Sequence, residues 1–342
     1  MDKVSGISLK AYGKINLSLD ITGRREDGYH YIISLMQDID VADDISMELI
    51  NHCENFDQAG EIQNKKNNHY RYCFIKDIAI DFCTKQNTIP TGPGNLALQG
   101  ARAVLEVIDA SGADIGAIKE AGGIRIVLDK KLPVAAGLAG GSADAAVCML
   151  GLNEIAGSPL SLSELMNVGI KVGSDVPYSL MMNAARNEAA LKVEGVRSRA
   201  GLVGGTGERV EPCDPEPFDI VMMNPGISVS TGDIYEAVDR RDPDAGFRCA
   251  DHAPCVTGHS GIKRFFNIME ECVLNLYPEA AAIHSWMRDN LRSDHLMMSG
   301  SGSTMIAYYN DGRAADEDYR IACEAAAAHA GWRAWRTKSG GK

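Results

Sequence analysis

The chain has 342 residues, of which 45% are hydrophobic and 23% are charged, and its formal net charge is −12. This length allows one large domain or two ordinary ones, and the composition excludes a mostly disordered or fibrous chain. The negative charge argues against general binding to nucleic-acid backbones or anionic membranes. It still allows a local site for a phosphorylated small molecule, because backbone N–H groups bind phosphate.

Signals for a membrane or an oxidising compartment are missing from the sequence. No apolar run approaches the roughly 18 residues of a membrane span, and the N-terminal segment lacks the apolar centre of a secretory signal. The nine cysteines form no Cys-x-x-Cys pair, which in a reducing compartment indicates free thiols. We therefore expect a cytoplasmic protein, a monomer or weak homodimer, that binds neither membrane nor nucleic acid.

The N-terminal part of the chain reads as strands. Alternating residues predict strands at Ser8–Asp20 and Ile45–Ile50, and residues 24–28 have turn chemistry. Residues 51–72 are polar and rich in Asn and Lys, which indicates an exposed excursion.

Helical signals begin in the next part of the chain. Apolar spacing predicts a helix over Asn95–Asp109, and a strand at Ile124–Leu128 leads through a glycine-rich turn to a small-residue helix at about 142–152. Ser161-Leu-Ser-Glu164 is a capping box that opens another short helix. Residues 181–206 give no clear pattern.

The three prolines of residues 212–218 mark the best domain boundary, which predicts domains of residues 1–211 and 212–342. A polar stretch is expected at about 238–262. Further predicted elements are a strand at Asp219–Met223, helices at about 264–275, 278–291 and 314–330, and a strand at Leu296–Tyr309. Strands and helices without strict alternation indicate an α+β architecture.

The glycine-rich segment that begins at Pro133 is suited to binding a triphosphate. Its clustered glycines let backbone N–H groups converge, and the following helix N-terminus favours negative charge. Ser142 would cap that helix and offer a hydroxyl. The segment lacks the closing Gly-Lys-Ser/Thr of a P-loop and the GxGxxG of a Rossmann-like oxidoreductase. A tight turn that only permits close helix packing is the alternative.

Two other segments carry charged groups suited to chemistry. Lys14 and Asn16 alternate onto one face of the first strand, and Asp175 lies in a tight turn after a helix. A carboxylate held against a lysine stays ionised and suits a general base for an alcohol. A structural ion pair and an ordinary turn residue are the alternatives.

In this order and spacing the segments resemble the GHMP kinase superfamily. The motifs are Lys14-Ile-Asn16, Pro133-x-x-x-Gly137-Leu-x-Gly140-Gly-Ser-x-Asp144, Gly173-Ser-Asp175-Val-Pro177 and Met298-Ser-Gly300-Ser-Gly302-Ser-Thr304. The resemblance implies the GHMP kinase fold, a two-domain α/β sandwich whose active site lies in the cleft between the domains. It also implies ATP with Mg²⁺ and a small-molecule acceptor.

Two signatures narrow the acceptor that the resemblance implies. Asp27-Gly28-Tyr29-His30 and the segment from Asn224-Pro-Gly226 to Thr231 resemble the superfamily members that act on a cytidine diphosphate-linked methylerythritol. They imply ATP-dependent phosphorylation of its C2 hydroxyl in the non-mevalonate isoprenoid pathway. A homoserine or mevalonate type of kinase and a catalytically silent nucleotide-binding relative are the alternatives.

Residue roles follow from matching positions in these motifs. The resemblance implies that Asp175 is the base and that Lys14 orients the acceptor hydroxyl and offsets phosphoryl charge. It implies that His30 hydrogen-bonds the cytosine edge, that Tyr29 stacks on the ring, and that Tyr235 covers its other face. The implied substrate-binding residues are Asn16, Tyr29, His30, Thr231, Tyr235, Gly300 and Ser301. The implied ATP-binding residues are Asn95, Leu96, Lys130, Pro133, Val134, Ala135, Ala136, Gly137, Leu138, Ala139, Gly140, Gly141, Ser142 and Ala143.

Two residues depart from the pattern of the superfamily. Ala139 replaces a third loop glycine, and we expect an ordinary backbone conformation there, because a positive φ would strain alanine. Ala143 replaces a second serine, which removes one phosphate hydroxyl and predicts modestly weaker ATP affinity.

One polar connector of the chain carries residue types that bind metals. Four residues have ligand types at plausible spacing, Cys249, His252, Cys255 and His259. They lie in a polar connector and the superfamily uses no such site, so we predict a solvated loop and no protein-held metal.

Overall fold

The computed structural model describes residues 5–51, 62–64, 69–75, 78–86, 89–113, 115–241 and 265–341. They form two compact units, and neither unit is continuous in sequence. Unit 1 contains described residues within Met1–Tyr12, Ala42–Leu132 and Gly140–Arg197. Unit 2 contains those within Gly13–Val41, Pro133–Ala139 and Ser198–Lys342.

This grouping differs from the predicted division at residues 211 and 212. Two long strands, β1 (Gly6–Arg24) and β2 (His30–Asn51), each contribute residues to both units. The proline content that suggested the boundary is local information, whereas the units are defined by contacts between distant segments. As a division into folding domains, the boundary stays a prediction.

Unit 1 packs helices against a sheet whose strand order is β2–β6–β5–β4–β3. Its further strands are β3 (Ile62–Asn64), β4 (His69–Ile75), β5 (Ile78–Thr84) and β6 (Gly122–Asp129). Its helices are α1 (Leu96–Ala110), α2 (Gly116–Ala121), α3 (Gly140–Ile155), α4 (Leu162–Gly169) and α5 (Val176–Arg186). The β5–β6 pair is parallel, and the other pairs along this order are antiparallel.

Helix α1 confirms the sequence prediction closely. Asn95 is its N-cap and accepts a hydrogen bond from the backbone N–H of Ala97, as expected for an asparagine at this position. Gly100 permits close packing on α3, because a Cβ there would lie 2.8 Å from the carbonyl oxygen of Ala145. The apolar positions used in the prediction are all buried: Leu98, Ala101, Leu105 and Ile108.

Other predictions for unit 1 had mixed outcomes. The capping box at Ser161 and Glu164 is present with both of its hydrogen bonds. Within the exposed excursion predicted at residues 51–72, the structure describes β3 and the start of β4, and the exposure of this stretch stays a prediction. Helix α5 was missed, because its polar residues at Ser179 and Asn183 are buried and obscure the apolar pattern.

Unit 2 is built on a sheet of strand order β11–β12–β9–β13–β2, with β7 pairing to β2 and β8 to β7. Its further strands are β7 (Ala200–Gly205), β8 (Arg209–Cys213), β9 (Phe218–Asn224), β10 (Phe266–Asn267), β11 (His295–Met298), β12 (Met305–Tyr309) and β13 (Arg333–Ser339). Its helices are α6 (Thr231–Arg241), α7 (Glu270–Leu276), α8 (Pro278–Asn290) and α9 (Gly312–Ala328).

The strand predicted at residues 296–309 is two antiparallel strands, β11 and β12, with Met298 opposite Met305. The glycines in this segment therefore belong to a loop between strands and not to an interrupted strand. The helices predicted at about 278–291 and 314–330 are confirmed as α8 and α9. The helix predicted at about 264–275 is confirmed only in its second half, because α7 begins at Glu270 and Phe266–Asn267 form β10. Strand β13 was missed. The observed mixture of strands and helices confirms the α+β class.

Several predictions concern properties of the whole chain. None of the described helices is long and apolar enough to cross a membrane. The cysteines whose side chains are described are free thiols: Cys83, Cys148, Cys213, Cys272 and Cys323. The four proposed metal-ligand residues, 249, 252, 255 and 259, and most of the predicted polar stretch at 238–262 lie outside the described residues.

Candidate active site

In unit 2 the glycine-rich loop, residues 133–139, packs on the loop between β11 and β12. Ser299 Oγ donates a hydrogen bond to the carbonyl oxygen of Gly137 at 3.0 Å. The backbone N–H of Thr304 donates to the carbonyl oxygen of Ala136 at 3.3 Å. Gly137 has a φ of 79°, and a Cβ there would overlap the carbonyl oxygen of Ser299. Glycine is therefore required at position 137 both by conformation and by space.

The expectation for Ala139 was wrong. Ala139 has a φ of 52° and Ala135 has a φ of 50°, so both alanines adopt the left-handed conformation. A Cβ makes this conformation unfavourable by about 1 kcal/mol or more. The loop therefore stores backbone strain at the position where the superfamily usually has glycine.

Replacement of Ala139 by glycine is expected to stabilise the protein. Ala139→Gly should raise the free energy of unfolding by about 0.5–1 kcal/mol, because relief of the left-handed strain exceeds the added entropy of the unfolded chain. Urea denaturation measures the change. The matched control is Ala143→Gly in the interior of α3, which should destabilise by about 1 kcal/mol. Destabilisation by both substitutions would contradict the assigned strain.

Lys14 is buried in β1, with 3% of its surface exposed. Its Nζ donates to Oδ1 of Asn16 at 2.8 Å, and its backbone N–H donates to the carbonyl oxygen of Leu138 at 3.1 Å. A Cβ on Gly300 would lie 3.4 Å from Lys14 Nζ. Unit 2 thus brings together the predicted lysine, the glycine-rich loop and the Gly300 turn.

Asn16 and Thr231 extend this group. Asn16 Nδ2 donates to Ser34 Oγ at 2.8 Å, which fixes the amide so that its oxygen faces Lys14. The hydroxyls of Thr231 and Ser301 are 2.9 Å apart. Four of the predicted substrate-binding residues, Asn16, Thr231, Gly300 and Ser301, therefore lie in or beside the same group of loops in unit 2.

Unit 1 gathers a second set of predicted residues at the start of α3. Gly141 lies against the side chain of Leu96, which a Cβ would approach to 3.0 Å, and a Cβ on Gly173 would lie 3.9 Å from Ser142 Oγ. Ser142 is the third residue of α3, so the prediction that it caps the helix was wrong. Its hydroxyl is nevertheless partly exposed beside the turn that carries Asp175.

Asp175 occupies the N-cap position of α5, with φ of −86° and ψ of −6°, and its side chain does not cap the helix. Pro177 follows in the first turn, where its missing N–H costs no hydrogen bond. Asp175 is only partly buried, so part of this residue is exposed to solvent at the start of the helix.

Lys130 is at the centre of a buried ion cluster in unit 1. Its Nζ lies 2.5 Å from Oδ2 of Asp43 and 2.7 Å from Oδ2 of Asp144, and the three side chains are at most 7% exposed. Oδ1 of Asp43 also accepts hydrogen bonds from the backbone N–H groups of Lys131 and Leu132. The ammonium predicted to lie near the nucleotide is thus already engaged by two carboxylates.

The protonation of this cluster follows from its burial. Burial raises the pKa of Asp144 well above its ordinary value, and the charge of Asp43 adds to the shift while Lys130 offsets it in part. For Lys130, burial favours the neutral amine, but the charges of Asp144 and Asp43 outweigh it and raise the pKa. The cluster therefore holds Lys130 as an ammonium ion that joins the end of β6 to α3.

Removal of Asp43 is expected to be strongly destabilising. Asp43→Ala leaves the buried Lys130 with one carboxylate and two backbone N–H groups without their acceptor, a loss of about 3–5 kcal/mol in the free energy of unfolding. Asp44→Ala is the matched control, because the Asp44 carboxylate pairs with the exposed Lys131 and Lys10. This substitution should lower the free energy of unfolding by less than about 1 kcal/mol. Urea denaturation compares the two, and equal losses would disprove the role of Asp43.

The predicted nucleoside-binding residues lie near the start of β2 and on α6, both in unit 2. The rings of His30 and Tyr235 are stacked, with centroids 4.6 Å apart and planes at 12°. His30 Nε2 lies 2.7 Å from Oδ1 of Asp239, whose Oδ2 is 3.1 Å from Nη1 of Arg24. Tyr29 is 68% exposed, which leaves its ring available for stacking.

The contacts of Asp43, Asp144 and Asp239 in these groups were not predicted from the sequence. A buried lysine requires a counter-charge, and this rule signals that carboxylates surround Lys130. The rule does not show which of the 46 acidic residues of the chain are the partners, because Asp43 and Asp144 lie 87 and 14 residues from Lys130 in sequence.

Known proteins share both the motifs and the fold of this chain. The family model described as GHMP kinases N terminal domain matches residues 95–183, which include α1, α3 and Asp175. A crystal structure of 4-(cytidine 5'-diphospho)-2C-methyl-D-erythritol kinase superimposes with a TM-score of 0.66 at 28% identity, covering 98% of this chain and 100% of that one. The mevalonate kinase of Methanococcus jannaschii, at 12% identity and a TM-score of 0.57, shares the fold over 97% of this chain and 98% of its own.

Fold and motifs together define the chain as a GHMP kinase. Among curated relatives, the 4-diphosphocytidyl-2-C-methyl-D-erythritol kinase of Exiguobacterium sibiricum is 32% identical over 88% of each chain. The enzyme of the same name from Syntrophotalea carbinolica is 30% identical over 96% of this chain and 97% of its own. The chain therefore belongs to the 4-diphosphocytidyl-2-C-methyl-D-erythritol kinase family.

Proposed function

We propose that this ATP-dependent phosphotransferase phosphorylates the C2 hydroxyl of 4-diphosphocytidyl-2-C-methyl-D-erythritol, a step of the non-mevalonate isoprenoid pathway. The observation that carries the proposal is the composition of unit 2. It combines Lys14 and the glycine-rich loop, which suit a phosphoryl group, with Tyr29 and His30, which suit a pyrimidine. Family membership supports the same acceptor.

Asp175 acts as the general base. It accepts the proton of the acceptor hydroxyl while the hydroxyl oxygen forms a bond to the γ-phosphorus of ATP, the bond to the β-γ bridging oxygen breaks, and ADP leaves. Lys14 orients the acceptor oxygen and offsets charge on the transferring phosphoryl group. Asn16 supports this role, because its hydrogen bond fixes the direction of the lysine side chain. Phosphoryl transfer depends mainly on such positioning and charge stabilisation.

The glycine-rich loop and the start of α3 bind the phosphates of ATP through backbone N–H groups. Asn95 and Leu96 contribute from the start of α1, where Leu96 packs on Gly141. Lys130 contributes indirectly and does not bind the phosphates itself, because its ammonium group is held by Asp43 and Asp144.

Mg²⁺ prefers oxygen ligands and is held largely by substrate phosphates. At the start of α3 the partly exposed Ser142 carries a hydroxyl that would add an oxygen ligand from the protein. Mg²⁺ would neutralise charge that develops on the phosphates.

Cytosine binds between its two recognition elements in unit 2. Tyr29 stacks on the base, an interaction worth about 1–3 kcal/mol, and His30 hydrogen-bonds its edge. The ring of Tyr235 stacks on the imidazole of His30. The part of the Tyr235 ring that extends beyond the imidazole covers the second face of the base.

A phosphotransfer assay over a panel of acceptors tests the proposed function. The panel contains the cytidine diphosphate-linked methylerythritol, homoserine and mevalonate, with CMP added as a competitor in a second series. We expect turnover of the first acceptor and competition by CMP. Turnover of homoserine or mevalonate without turnover of the cytidine compound would overturn the proposal in favour of another GHMP kinase activity.

A further inference from the structure

His30 is held in one orientation by contacts on a face and on an edge. Tyr235 and Asp239 are four residues apart on α6, which places both on one side of the helix. Tyr235 stacks on the imidazole, and Asp239 contacts its Nε2 at 2.7 Å. The His30 side chain is 7% exposed, so helix α6 fixes both the plane and the rotation of the ring.

The contact with Asp239 also decides which ring nitrogen carries the proton. An ionised carboxylate only accepts hydrogen bonds, so Nε2 of a neutral His30 must be the donor. The other nitrogen, Nδ1, is then an acceptor. No hydrogen bond to Nδ1 is formed by any residue within the described part of the chain, so this acceptor remains for a ligand.

An acceptor at Nδ1 distinguishes between the two common pyrimidines. Cytosine presents the N4 amino group, a donor, where uracil presents the O4 carbonyl, an acceptor. A site built to accept a hydrogen bond rejects the analogue that lacks the donor, because its own polar group is left unpaired. The tautomer of His30 therefore favours cytosine.

We propose that Asp239 is a positioning residue that holds His30 as the Nε2–H tautomer and so sets the preference of this enzyme for cytidine over uridine substrates. The inference rests on the proposed function, in which His30 meets the edge of the base. Asp239 itself does not contact the base, and it acts through His30.

Asp239→Asn is a sharp test, because Arg24 controls the orientation of the new amide. The guanidinium of Arg24 has only donors, so the amide oxygen of the variant faces Arg24 and its NH₂ group faces His30. His30 Nε2 then becomes the acceptor and Nδ1 carries the proton, which suits O4 of uracil. The variant should therefore reverse the tautomer without removing a side chain.

The first measurement is kcat/KM for the cytidine substrate and for its uridine analogue. The wild-type enzyme should prefer cytidine, and Asp239→Asn should reduce the cytidine-to-uridine ratio at least about tenfold, mainly through KM. Glu236→Gln is the matched control, because it removes the same charge from an exposed position of α6 and should leave the ratio unchanged.

The second measurement is the tautomer of His30, read from its imidazole ¹⁵N chemical shifts at a pH where the ring is neutral and assigned by the signal lost in His30→Gln. We expect Nε2–H in the wild type and Nδ1–H in Asp239→Asn. A wild-type Nδ1–H or imidazolium form, or a ratio within twofold of wild type in Asp239→Asn, would overturn the inference. If the wild-type enzyme phosphorylates neither substrate, the proposed function fails first, and the ¹⁵N spectra still decide the tautomer.

Discussion

Asp175→Asn is expected to lower kcat at least about 100-fold, the scale of a general-base contribution. The amide keeps the shape of the carboxylate but cannot accept the proton of the acceptor hydroxyl. Because the side chain of Asp175 does not cap α5, the variant should keep this helix folded. Steady-state phosphotransfer with the cytidine substrate measures the loss.

The control for this variant is Glu188→Gln, which removes one negative charge from an exposed residue beyond the C-terminal end of α5. It should retain full activity. If Asp175→Asn also retains full phosphotransfer, Asp175 is not the base, and the assignment of the acceptor chemistry has to be changed.

Lys14→Met is expected to reduce kcat by at least about 100-fold as well, since it removes one charged donor from a buried site. Methionine keeps much of the apolar stem, but Asn16 Oδ1 loses its ammonium partner at 2.8 Å and keeps the longer contact with the Ser299 hydroxyl at 3.4 Å. Loss of that partner should also lower the free energy of unfolding by about 1–3 kcal/mol. Activity is therefore measured well below the melting temperature of the variant.

Lys10→Met on the same strand provides the comparison, because the side chain of Lys10 is 56% exposed and pairs with Asp44 at the surface. It should change neither kcat nor the free energy of unfolding appreciably. A Lys14→Met enzyme with kcat within tenfold of wild type would show that Lys14 does not stabilise the transferring phosphoryl group.

Parts of the fold that depend on neighbouring residues were predictable from the sequence. The helix predicted over Asn95–Asp109 and the capping box at Ser161 and Glu164 form as expected, because their signals come from residues within a few positions of each other. The predicted site motifs likewise fall on regular elements, with Lys14 within β1 and Asp175 at the start of α5.

Predictions failed where a distant segment sets the local geometry. Ala139 takes a positive φ that alanine does not favour. The loop before it forms hydrogen bonds with Ser299 and Thr304, which are distant in sequence. Tyr235 stacks on His30, more than 200 residues earlier in the chain. The motifs assigned both residues to the base without indicating that their rings touch, and the role of Tyr235 stays a prediction.

Residue types in ordered motifs were enough to indicate the class of chemistry, because they specify a phosphate-binding loop, a lysine and a carboxylate. The carboxylates around Lys130 and the partner of His30 Nε2 became known from the folded chain alone. A charged or titratable group takes its state from the groups in contact with it. Those groups, Asp43 and Asp144 for Lys130 and Asp239 for His30, are brought there by folding.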